Sequence, residues 1–263
     1  MDLEISSREN SYYKELKKSI RENNGFICIE GKKLLNEALK SSVKLEKIFF
    51  DKSNKSVFEN LLPKDRKTEI VFIKNELLSE LFTTDSKPDS SDLVIGLAKK
   101  NEYKLADLFE LKRDLIFLEE VQDPGNLGTI IRSALAFECS GVILSKSSVD
   151  PFSTKVIRAS AGAVFKLPII CSQQLKNIYD LAMENKYRFI ATSINEGKEI
   201  AKLNNSQPSV IAFGNEGHGL SHEIIDSASE VIKLPHSKEV ESLNVGVAVS
   251  IVLWERYRLK IYG

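Results

Sequence analysis

Residues 115–134 read LIFLEEVQDPGNLGTIIRSA. The run 115–121 is apolar enough for a buried strand, and the polar, glycine-bearing stretch after it breaks that strand. Apolar residues then recur at helical spacing, which predicts a helix over 126–138. Strand, loop and helix in succession form the repeating unit of a parallel sheet. A structural turn needs one or two of Pro124, Gly125, Asn126 and Gly128. All of them together, with Arg132 one helical turn further on in an otherwise greasy helix, point to a site at the strand's carboxyl end.

The pattern continues to both sides. Strands are expected at 141–145, 166–170, 187–193, 209–215 and 230–235, and helices at 154–165, 175–186, 220–228 and 242–258. Near-continuous apolar strands alternating with helices predict a parallel sheet covered on both faces. Ligands of such sheets bind outside the carboxyl ends of the strands. Two more loops fall there, FGNEGHGLS at 213–221 and LPHSKEVESLNVGVA at 234–248. Gly214, Gly217 and Gly219 fit neither the dinucleotide fingerprint nor a P-loop, which disfavours a dehydrogenase-type enzyme.

Upstream, residues 11–22, 32–41, 56–62 and 75–82 read as helices, and 25–31, 45–51, 68–73 and 93–99 as strands. This is a small α/β domain over 1–100, joined by a linker at 101–113 to a larger domain over 114–263. Lys+Arg and Asp+Glu both total 37 in the 263 residues. From Lys32 to Lys67, however, ten basic residues (Lys64 and Arg66 among them) face five acidic ones, an excess suited to phosphates or simply to a solvated surface. Three scattered cysteines, Cys28, Cys139 and Cys171, make no metal motif and fit a reducing cytosol. The longest apolar run, 245–254, is too short to span a bilayer, so no membrane and no metal are expected.

The segments DPGNLGTIIRSA, FGNEGHGLS and LPHSKEVESLNVGVAVSI resemble, in order and spacing, the three motifs of the SpoU/TrmH class of RNA ribose 2′-O-methyltransferases. FICIEGKKLLNEALKS and SDLVIGLAKK resemble the L30e-like substrate-binding domain of the ribosomal-RNA members. The resemblance implies an L30e-like N-terminal domain and a parallel-sheet C-terminal domain tied in a trefoil knot. It also implies S-adenosyl-L-methionine as cofactor, a homodimer, and RNA as substrate. Ribosomal RNA, 23S in particular, is favoured over tRNA, and a catalytically inactive RNA-binding module is the remaining alternative. The family usually carries serine where this chain has Gly246.

By that resemblance, Asn126, Arg132, Glu216, Ser242 and Asn244 form the catalytic site. Gly214, Asn215, Glu216, Gly217, Leu234, Leu243 and Asn244 contact the cofactor, with Leu234 and Leu243 against its adenine. On composition alone those leucines are ordinary core. Arg132 is expected to clamp an RNA phosphate. The family also offers it as the base, but a guanidinium hardly deprotonates, which makes that awkward. Asn126 either caps its helix or holds Arg132 and a substrate oxygen. Glu216 is expected to orient Asn126 or Arg132. Ser242 and Asn244 open the last helix, where capping is the plain alternative. His218, His222 and His236 are read as polar loop residues. The reaction sets a reactive sulfonium methyl against a poor hydroxyl nucleophile, so positioning matters most and can contribute about 7–11 kcal/mol.

Overall fold

A computed structural model of the chain describes residues 4–22, 25–59, 67–84, 88–203 and 207–262. Two compact units emerge, Met1–Glu102 with Phe152–Arg158, and Tyr103–Pro151 with Ala159–Gly263.

The first unit runs β1 (Glu4–Ile5), α1 (Ser11–Arg21), β2 (Phe26–Glu30), α2 (Lys32–Leu39), β3 (Lys44–Phe50), α3 (Lys55–Phe58), β4 (Glu69–Ile73), α4 (Asn75–Ser79) and β5 (Val94–Lys99). Its sheet is mixed, in the order β1-β4-β3-β5-β2. β4 pairs in parallel with β1 and β3, whereas β5 is antiparallel to β3 and β2. Asn10 starts α1 by accepting a hydrogen bond from the Tyr12 amide at 2.9 Å, and Tyr13 and Leu16 then face the core. The two-residue β1 is too short to show as a pattern. α4 stops at Ser79, short of the expected 82. The helix expected at 56–62 appears as α3, and residues 60–62 lie outside the described residues, as do Lys64 and Arg66.

From Tyr103 onward come α5 (Asp107–Glu110), β6 (Leu115–Leu118), α6 (Pro124–Ala136), β7 (Gly141–Leu144), α7 (Thr154–Ala159), β8 (Ile169–Ile170) and α8 (Leu175–Glu184). β9 (Arg188–Ser193), β10 (Lys198–Glu199), β11 (Ser209–Phe213), α9 (His222–Ser227), β12 (Glu230–Lys233) and α10 (Val245–Tyr262) complete the chain. The second sheet is parallel at every pairing, in the order β10-β12-β9-β11-β6-β7-β8. Every residue of β6, β7 and β11 is buried, which is why these strands read as unbroken apolar runs.

The structure corrects the sequence reading in three places. The expected helix 154–165 ends at Ala159, because Ala161 and Gly162 take left-handed φ of +50° and +82°, and a 3-10 turn follows at Ala163–Phe165. Residues 103–113, read as linker, lie in the second unit, where Leu108 and Phe109 are buried in the core. α6 starts at Pro124 rather than Asn126: Asp123 is its cap, accepting from the Asn126 amide at 2.7 Å, with proline at a first-turn position that needs no N–H. Asn126 is therefore not the capping residue, and its side chain is available for other work. Among the described residues no helix is long and apolar enough to cross a membrane.

Candidate functional site

The loops after β6, β9, β11 and β12 share the carboxyl edge of the second sheet. The loop after β11 folds back on itself: Asn215 and Gly219 exchange backbone hydrogen bonds at 3.1 and 3.0 Å, and Asn215 Oδ1 accepts from the Gly217 amide at 2.7 Å. A Cβ at position 214 would lie 2.1 Å from the Gly219 carbonyl carbon, so glycine is required there by close backbone approach. Asn215 Nδ2 donates to the Glu120 carbonyl at 2.9 Å, and the Ser221 amide donates to Glu119 Oε2 at 2.7 Å. Both bonds tie this loop to the one after β6. His218 Nε2 stands 3.3 Å from Glu120 Oε2, an exposed pair of small energetic weight.

A chain of side-chain hydrogen bonds joins three loops. Asn126 Nδ2 donates to Glu216 Oε1 at 2.9 Å. Asn244 Nδ2 donates to Asn126 Oδ1 at 2.8 Å. Asn244 Oδ1 in turn accepts from the Val247 amide at 3.2 Å, so Asn244 caps α10 and serves the cluster at once. Chemistry dictates these amide orientations. An ionised carboxylate only accepts, so Asn126 must present its NH₂ to Glu216, and its oxygen then faces the Asn244 NH₂. Of the two partners expected for Glu216, Asn126 is hydrogen-bonded to it and Arg132 is not.

Beside this chain lies a cavity of about 310 Å³. Gly214, Asn215, Glu216, Gly217, Leu234, Ser242 and Leu243 line it. Asn126 and Asn244 stand outside the lining and reach it through Glu216. Arg132 is exposed on α6 and makes no hydrogen bond or ion pair among the described residues. Among the described residues no hydrogen bond joins it to Asn126 or Glu216. Sequence reasoning missed Thr192–Asn195, the end of β9 and the start of the loop after it, which also lines the cavity. Its residue types carry no signal, and the clue was its place at the end of a strand neighbouring β11. His236 lines the cavity too, with Nδ1 2.9 Å from the Leu234 carbonyl.

The cavity suits S-adenosylmethionine in size and chemistry. Its volume falls at the lower end for small-molecule sites, and its walls pair apolar side chains with loop backbone amides. Leu234 and Leu243, both half-buried, offer apolar surface for an adenine. Among the described residues no group of three or more His, Cys, Asp or Glu is arranged to hold a metal.

Comparison with known proteins gives the family. The SpoU rRNA Methylase family model matches residues 114–254, and the MRM3-like substrate binding domain model matches residues 13–90. An uncharacterized tRNA/rRNA methyltransferase of Synechocystis sp. is 29% identical over 262 residues, 97% of this chain and 93% of that one. The 23S rRNA (guanosine(2553)-2′-O)-methyltransferase RlmP of Bacillus subtilis is 28% identical over 256 residues, 95% of this chain and 98% of that one. The crystal structure of AdoMet-bound rRNA methyltransferase from Sinorhizobium meliloti aligns with a TM-score of 0.85 at 26% identity, over 99% of both chains. The second unit has the trefoil-knot fold of these enzymes, an exception to the rule that chains do not thread their own loops. The chain belongs to the SpoU rRNA methylase family and is an S-adenosylmethionine-dependent RNA 2′-O-methyltransferase with a substrate-binding N-terminal domain.

Proposed function

We infer that the target is a ribose in ribosomal RNA, 23S rRNA ahead of tRNA, and that the enzyme acts as a homodimer in the cytoplasm. The observation that carries the site assignment is the hydrogen-bonded chain Glu216–Asn126–Asn244, which gathers three separate loops at the rim of one cavity. The bound cofactor supplies an electrophilic sulfonium methyl. Leu234 and Leu243 would hold its adenine between them, and the backbone of Gly214, Asn215 and Gly217 would lie against its polar atoms. Each amide NH₂ of Asn126 and Asn244 has two protons and spends one within the cluster, leaving the other for a substrate oxygen. The Ser242 hydroxyl adds a further donor at the cavity wall. Arg132, exposed and unpartnered, takes a phosphate next to the target ribose through its planar fork.

Ribosomal RNA is favoured by the first unit, whose MRM3-like match goes with the basic stretch described above, and by the name of the Bacillus relative. Dimerisation is supported by α10, which exposes Val247, Ile251, Trp254 and Ile261 along one helical face, each at 41–50%. None of the three cysteines forms a disulfide, as suits a reducing cytoplasm. Mapping ribose methylation in total RNA from cells with and without the gene tests the reading. One 23S position should lose its methyl group, and loss at a tRNA position instead would overturn the substrate assignment. Sedimentation should give twice the 29.5 kDa chain mass.

A further inference from the structure

We propose that Glu216 is the group that takes the proton from the ribose 2′-hydroxyl, through the carboxylate oxygen that Asn126 leaves open. The proposal rests on the ribose-methylating reading above and names the base that reading lacks.

A base must have a free acceptor beside the reacting oxygen. Glu119 Oε2 accepts from the Ser221 amide, Asp123 Oδ1 from the Asn126 amide, and Glu120 Oε2 faces His218. Each of these carboxylates is engaged in holding a loop. Arg132 offers only N–H donors and no acceptor. His236 is anchored through Nδ1 to the Leu234 carbonyl, on the wall assigned to adenine, and makes no bond to the asparagine chain. Glu216 differs from all of these. Its Oε1 is fixed at 2.9 Å by Asn126, while Oε2 takes no hydrogen bond among the described residues. It also lies in the cavity lining and at the end of the chain whose spare N–H groups await substrate oxygens.

The step balances without a further reactant. The O2′–H bond breaks and its proton passes to Glu216 Oε2. The electron pair left on O2′ forms the new O–CH₃ bond, and the pair of the breaking C–S bond stays on sulfur as a neutral thioether. Arg132 neutralises the neighbouring phosphate and takes no part in the proton transfer.

Glu216→Gln separates a base from an orienting group, because the glutamine oxygen still accepts from Asn126 but takes no proton. The assay uses tritiated S-adenosylmethionine and total RNA from cells lacking the gene, with cofactor binding measured by calorimetry. The expected result is a loss of about 100-fold or more in kcat, the lower end of general-base contributions, with the cofactor dissociation constant changed less than about threefold. Formate should restore part of the turnover of Glu216→Ala. Glu216→Gln keeping more than about a tenth of kcat, or Glu216→Ala indifferent to formate, overturns the proposal. An unsubstituted enzyme that puts no methyl on any ribose sinks instead the reading on which it rests.

Discussion

Two helices of the second unit, α10 and α6, each carry an arginine, and the two could hardly differ more. At the amino edge Arg256 is 4% exposed. It forks onto Asp114 at 2.9 and 2.6 Å and also donates to the Gln207 carbonyl and the Ser209 hydroxyl. Asp114 just precedes β6 and Ser209 opens β11, so this one side chain ties α10 to the starts of two central strands. On α6, which starts at the carboxyl edge and runs back along the sheet, Arg132 lies exposed with no partner among the described residues. The same guanidinium is spent in one place and held in reserve in the other. A closed network stabilises the fold, whereas an open set of donors has a ligand still to meet.

The largest effect should come from breaking the closed edge. Arg256→Ala strands the Asp114 carboxylate, 18% exposed, against two strand ends. Breaking such a pair costs about 3–5 kcal/mol. Chemical denaturation should show that loss, and the fraction still folded should bind S-adenosylmethionine with near-parental affinity. If Arg256→Ala were as stable as the parent, the claim that this edge is structural would fail.

The next effect lies on α6 and inverts the pattern. Arg132→Lys keeps the charge but loses the planar fork. It should leave the denaturation midpoint unchanged while lowering kcat/KM for RNA about tenfold or more, equivalent to about 1.4 kcal/mol. A lysine variant with most of its turnover at saturating RNA would show that a point charge suffices there.

How much of this was readable beforehand follows from what local sequence encodes. The parallel sheet was legible because fully buried strands such as β6 and β11 need apolar residues at every position, whichever fold they join. The three loops were legible because their residue types are expensive in a core. Partners were not legible. Asn126 and Glu216 are 90 residues apart and Asn126 and Asn244 118 apart, so the pairing depends on crossover connections that no local pattern records. Gly128 shows the opposite error. It reads as part of a ligand loop, yet a Cβ there would lie 2.3 Å from Ala159 Cβ, so its role is close packing of α6. Arg256 gave no signal at all, since an arginine in an amphipathic helix ordinarily reaches water.

The smallest effect probes how tightly the carboxyl edge is set. A Cβ at Gly246 would stand 3.2 Å from both Thr129 Cγ2 and Asn244 Oδ1. Neither neighbour retreats freely. Thr129 Oγ1 is held by the Gly125 carbonyl at 2.9 Å, which fixes where its methyl points, and Asn244 Oδ1 is held by the Val247 amide. Gly246→Ala gains about 0.5–1 kcal/mol of helix propensity, and the crowding offsets it by a similar or larger amount. Global stability should therefore change little. Activity should fall several-fold, because the displaced oxygen shares its side-chain amide with the Nδ2 that donates to Asn126. Thr129→Ser removes the crowding methyl and keeps the hydroxyl, so the double variant should recover to within about twofold of the parent. Steady-state kinetics on the four proteins of this cycle give the coupling directly. Additive losses would mean that position 246 acts on the site by some route other than the spacing of α6 and α10.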